Sequence, residues 1–97
     1  MLFAVRFTDQ PGSGALRAGH MADHLAWLAR HSQVLAAGTL CESPQAAALG
    51  GLWLVDAESA DAVRALVATD PFMTCGLRAN VEILHWLKGH PAGPVTL

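Results

Sequence analysis

The stretch Leu52-Trp53-Leu54-Val55-Asp56-Ala57-Glu58-Ser59, LWLVDAES, joins an apolar run to a helix start. Successive side chains of a strand point to opposite faces, so Leu52 to Val55 makes a strand that is apolar on both sides. Ser59 suits an N-cap, and Asp61 falls in the first turn, where a carboxylate favours the helix dipole. The helix that follows has Ala62, Val63, Leu66 and Val67 as its apolar face. It ends by Asp70, because the residue before Pro71 is pushed out of the α region.

Working outward, Leu2 to Thr8 is a β-rich run closed by the turn signal Asp9-Gln10-Pro11-Gly12. Gly14 to His31 has apolar positions at helical spacing. Val34 to Leu40 reads as a strand interrupted by Gly38, and Ser43 to Ala48 as a small-residue linker. Asn80 to Leu87 is a last strand. The order β-α-β-β-α-β predicts an α+β, ferredoxin-like fold with a four-stranded antiparallel sheet and both helices on one face. One domain spans 1–88, and 89–97 form an extended tail.

The sheet face away from the helices also needs cover. Leu52 and Leu54 supply it with apolar groups, and Leu84 and Trp86 lie opposite Val81 and Ile83 on the last strand. The chain is 53% apolar and 14% charged. An average domain has about 25% charged residues, so part of the surface is expected to meet a partner. The expectation is a homodimer packed sheet against sheet.

Six Lys and Arg with a net charge of −2 give no basic stripe for nucleic acid. No run approaches the roughly 18 apolar residues of a membrane span. The opening residues carry Arg6 inside their apolar stretch and read as a strand, not a signal peptide. Cys41 and Cys75 lack CxxC spacing and are expected as reduced thiols in a cytoplasm.

At 100° per residue, Met21, Leu25 and Leu28 share one stripe of the first helix, expected to be its core face. His20, His24, Trp27 and His31 share a second stripe about a quarter turn away. His20 and His24 have a spacing that suits a metal, but no third ligand motif accompanies them, and none is expected. An imidazole titrates near pH ~6.5, which suits His24 to acid–base work.

Asp70-Pro71 is the sequence of an N-cap with proline at the first helical position. In the expected fold the same carboxylate also lies on the helices' side of the sheet. There it could hold an imidazole in one tautomer and stabilise its cation. Arg6 sits mid-strand, where it lies either at an edge or in a pocket for an anionic ligand.

These residues resemble the YCII-related family. The resemblance rests on His24-Leu25-Ala26-Trp27-Leu28, Ala37-Gly38, Gly51 to Ser59, Asp70-Pro71-Phe72, Gly76-Leu77 and Val81 to Trp86. It implies a dimeric α+β barrel and a His–Asp pair at an active site, which carries over onto His24 and Asp70. A relative that dechlorinates a hydroxylated ring, and similarly folded muconolactone isomerases, imply proton transfer or elimination on small ring compounds. Family members often carry Arg three residues before the histidine, where this chain has Met21. They often have Gly-Pro at Gly38-Thr39 and Pro-Trp at His85-Trp86.

The leading expectation is therefore an isomerase-, lyase- or dehalogenase-type enzyme that needs no metal or organic cofactor. His24 and Asp70 would be catalytic, with Arg6, Trp27, Phe72 and Trp86 contacting the small-molecule ligand. The alternatives are a small-ligand-binding or accessory module built on the same dimer, and a structural oligomerisation domain.

Overall fold

A computed structural model describes residues 1–96; Leu97, the end of the expected tail, lies outside the described residues. The elements are β1 (Leu2–Asp9), α1 (Gly14–Ala29), β2 (Val34–Leu40), β3 (Gly50–Asp56), α2 (Ala60–Val67), the single turn α3 (Pro71–Thr74) and β4 (Arg78–His85). Four strands form one antiparallel sheet in the order β2-β3-β1-β4. This is the ferredoxin-like arrangement, with α3 added between α2 and β4. Among the described residues no helix is long and apolar enough to cross a membrane.

Strand alternation fixes the two faces. Phe3, Val5 and Phe7 of β1 and Trp53 and Val55 of β3 point to the helices and are buried. They meet Trp27 of α1 and Val63 and Val67 of α2 in one core. Each such side chain contributes about 1.5–3 kcal/mol by leaving water. Ser59 caps α2 as its sequence implies, its Oγ accepting from the Ala62 amide at 3.1 Å. Ala62 itself is exposed, so the buried stripe of α2 is narrower than its apolar residues.

The orientation of α1 differs from expectation. Its buried residues are Arg17, His24 and Trp27, while Leu25 is 55% exposed. The helix is rotated about a quarter turn from the apolar stripe, so that polar side chains face inward and Met21, Leu25 and Leu28 form a rim. Hydrophobicity misleads here because the inward face is partly a site and not wholly a core.

β4 begins two residues earlier than expected, at Arg78. Phe7 pairs with Val81 and Thr8 with Asn80, but Asp9 pairs with Arg78, leaving Ala79 as an extra residue. Without this bulge Arg78 would share the outward face with Asn80. The bulge turns it inward, an effect bulges commonly have on a side chain.

The opposite sheet face is open. Leu52 and Leu84 are 38% and 52% exposed there. Arg6 also lies on this face, paired with Glu82 through hydrogen bonds of 2.8–3.0 Å. Trp86 borders a depression with Leu2, Leu54 and the tail residues Pro94 and Val95.

Candidate active site

Asp70 closes the turn after α2, and Pro71 starts α3 with the fixed φ that proline supplies. Oδ1 of Asp70 accepts from the Phe72 amide at 3.2 Å, which is the N-cap bond. The same oxygen stands 2.7 Å from Nδ1 of His24. The two roles weighed for this aspartate are thus filled by one atom. An ionised carboxylate only accepts hydrogen bonds, so Nδ1 of His24 carries the proton and the lone pair of a neutral ring lies on Nε2.

Asp70 is fully buried and the His24 side chain is 8% exposed. Phe72 stacks on the imidazole, with ring centroids 4.0 Å apart and planes inclined by 13°. The ring is held on one edge by Asp70 and on one face by Phe72. His24 and Phe72 line a cavity of about 110 Å³ together with Trp53, Arg17, Arg78 and the rim of α1. A cavity near 150 Å³ encloses benzene, so this recess takes one edge of a ring. A second depression, of about 740 Å³, shares Arg17 as a wall.

Two arginines and an aspartate complete the surroundings. Nη1 of Arg78 donates to Oδ1 of Asp9 at 2.7 Å, and Nη1 of Arg17 lies 3.6 Å from Oδ2. Nη2 of Arg17 also donates to Thr39 Oγ1 at 3.1 Å. Gly51 packs between the neighbouring strand and Arg78: a Cβ there would lie a tight 3.0 Å from the Gly38 carbonyl and in ordinary contact, 3.4 Å, with the guanidinium. Burial holds the Arg17 guanidinium below its ordinary pKa; the charge of Asp9 opposes this shift and that of Arg78 adds to it.

Of the sequence-derived site residues, the structure brings together His24, Asp70 and Phe72. Trp27 lies behind them in the core, its Nε1 donating to Thr69 Oγ1 at 3.1 Å, and Trp53 takes the wall position. Arg6 and Trp86 are corrected: both stand at the open sheet face and not at the cavity, because strand parity sets them opposite Val5, Phe7 and Ile83. His31 donates to the Trp27 carbonyl at 2.6 Å, and His85 packs on Phe3. No group of three or more His, Cys, Asp and Glu able to hold a metal occurs among the described residues. Cys41 and Cys75 are free.

The model of the YCII-related domain matches residues 1–87. The chain belongs to the YCII-related family. Among solved structures, this family member is similar to 5-chloro-2-hydroxyhydroquinone dehydrochlorinase from Burkholderia phenoliruptrix AC1100, in complex with 2,5-dihydroxybenzoquinone. The two share 31% identity over 92% of this chain and 96% of the other, with a TM-score of 0.83. Among curated proteins none matches.

Proposed function

We propose that the chain is an enzyme that moves a proton on a small hydroxylated ring, with His24 as acid and base and Asp70 as the residue that orients it. The observation that carries this reading is the 2.7 Å pairing of His24 and Asp70 at the wall of a cavity. With Nδ1 of the buried imidazole held by Asp70, Nε2 is the ring nitrogen left to exchange a proton with the substrate. Help of this kind is typically worth about 10²–10⁴-fold in rate.

The family supports the reaction class. A family member with 31% identity is a dehydrochlorinase of a chlorinated hydroxyhydroquinone. In the elimination proposed for this chain, a hydroxyl proton of the ring is first moved to the halogen-bearing carbon, giving the keto tautomer. Nε2 then takes a proton from a second hydroxyl, whose electron pair forms a carbonyl. The ring π pair shifts to a new double bond at the halogen-bearing carbon, and halide departs with its bonding pair. The step is redox-neutral. Return of the proton to a different atom would make the same pair an isomerase.

The open sheet face, with Leu52 and Leu84 exposed, is proposed to pack on that of a second copy, as the family resemblance implies. The test of the enzymatic reading is chloride release from 5-chloro-2-hydroxyhydroquinone and related halogenated phenols. Release that rises in proportion to enzyme concentration is expected. Its absence across the series, together with no solvent-deuterium exchange into the unhalogenated rings, contradicts the proposal.

A further inference from the structure

Asp9, Arg17 and Arg78 are all buried, and one carboxylate faces two guanidinium groups. Exposure of the Arg78 side chain is 1% and that of Arg17 10%. Asp70, the other buried carboxylate, is paired with His24, so the two guanidinium groups share Asp9 alone in a place with little water, where an incompletely paired ion is costly. Among the described residues Nη1 of Arg17, Oδ2 of Asp9 and Nε of Arg78 are buried without a hydrogen-bond partner, the first two facing each other at 3.6 Å. Both guanidinium groups flank the ring that carries His24: their Cζ atoms lie 5.2 and 5.0 Å from the Phe72 centroid. Both also line the His24 cavity.

A plain cross-strand ion pair needs one arginine, and Arg78 already fills that place opposite Asp9. Arg17 reaches the same carboxylate from α1 at a longer distance, 3.6 Å from Nη1 to Oδ2, while its Nη2 donates to Thr39 Oγ1. Two forked cations, partly satisfied and converging on a cavity, are a geometry suited to an oxyanion. In a poorly solvated recess such pairing is stronger than at a surface.

We propose that Arg17 and Arg78 form an anion subsite that receives an acidic oxygen of the substrate, a carboxylate, phenolate or enolate, beside His24. The proposal rests on reading the cavity as the substrate site, and it names the substrate class. It also balances the charges. When a neutral acidic ring gives its proton to His24, the new oxyanion lies by the arginines and the imidazolium by Asp70. A substrate that enters already ionised meets the same pair. Neutral rings without an acidic oxygen gain nothing from either guanidinium and are discriminated against.

The experiment is calorimetric titration of the full chain with benzoate and with benzamide, its uncharged isostere. Wild type is expected to bind benzoate at least tenfold more tightly, and Arg78→Gln to bring the ratio near one. Arg78→Lys keeps the charge beside Asp9 and loses the fork; it is expected to weaken benzoate severalfold, and it decides the matter if the glutamine variant does not fold. Asp9→Asn frees both arginines and is expected to tighten benzoate binding at least threefold. A ratio near one in wild type overturns the subsite, as does a ratio unchanged in the folded arginine variants or benzoate binding unchanged or weakened in Asp9→Asn. His24→Asn is expected to keep the preference for benzoate. Preference without turnover therefore contradicts only the acid–base reading, and turnover without preference contradicts only the subsite.

Discussion

Nδ1 of His24 lies 2.7 Å from Oδ1 of Asp70, although the two residues are 46 positions apart in the chain. The contact joins the middle of α1 to the start of α3, and the oxygen involved also receives the Phe72 amide. Positioning of the imidazole and folding of the α3 turn are thus tied to one atom. Each can be perturbed separately.

Asn caps a helix about as well as Asp. Asp70→Asn should therefore keep the α3 turn while removing the charge that orients His24. Turnover is expected to fall about 10²–10⁴-fold with little change in Tm. Asp70→Ala loses the cap, about 1 kcal/mol, and leaves the buried His24 Nδ1 unpartnered at about 1–3 kcal/mol more. Its Tm should be clearly lower than that of the asparagine variant. Equal Tm values for the two, measured by circular dichroism, would contradict the double role.

Phe72 is fully buried and supports His24 by stacking. Truncation to Ala is expected to cost about 3–5 kcal/mol, the range for buried phenylalanines. In a domain of this size 1 kcal/mol corresponds to about 4–8 °C, so Tm should fall by more than about 10 °C. A shift of a degree or two in thermal unfolding would mean that the ring packs loosely.

Gly50 and Gly51 give different expectations. A Cβ on Gly50 would lie 1.8 Å from the Phe7 carbonyl oxygen, a distance that only a backbone shift relieves. Gly50→Ala should destabilise by more than about 3 kcal/mol in urea denaturation, as strain at a close backbone approach does. At Gly51 the nearest atoms are the Gly38 carbonyl and the Arg78 guanidinium. A Cβ there would be tight only against that carbonyl, at 3.0 Å, and in ordinary contact with Arg78, so Gly51→Ala is expected to fold and to cost less stability than Gly50→Ala. Wild-type stability in Gly50→Ala, or a larger loss in Gly51→Ala than in Gly50→Ala, would contradict the packing described.

Leu52 and Leu84 on the open face predict association. Light scattering at micromolar concentration is expected to give the mass of a dimer, and Leu84→Glu to shift it to the monomer. A monomeric wild type would remove the proposed sheet-to-sheet contact.

Much of this architecture was readable from short signals. Leu52 to Val55 and Ser59 marked β3 and the start of α2 because strand parity and N-capping are local rules. Asp70-Pro71 marked α3 for the same reason. His24 and Asp70 were found because the family resemblance supplied a pairing that no local rule contains. Arg17, Asp9 and Arg78 were missed. Asp9 was read as part of a turn, the last strand was begun after Arg78, and Arg17 was given no role. The β4 bulge that turns Arg78 inward depends on pairing with β1, and nothing in the sequence near Ala79 announces it. The one local hint was Gly51, a glycine in a strand interior, which often marks a close approach.

The most direct test of the acid–base reading is the rate of chloride release from 5-chloro-2-hydroxyhydroquinone by His24→Asn and by wild type, with Tm recorded for both. A fall of about 10²–10⁴-fold in kcat with the fold retained is the predicted result. A folded His24→Asn that releases chloride at the wild-type rate would contradict it.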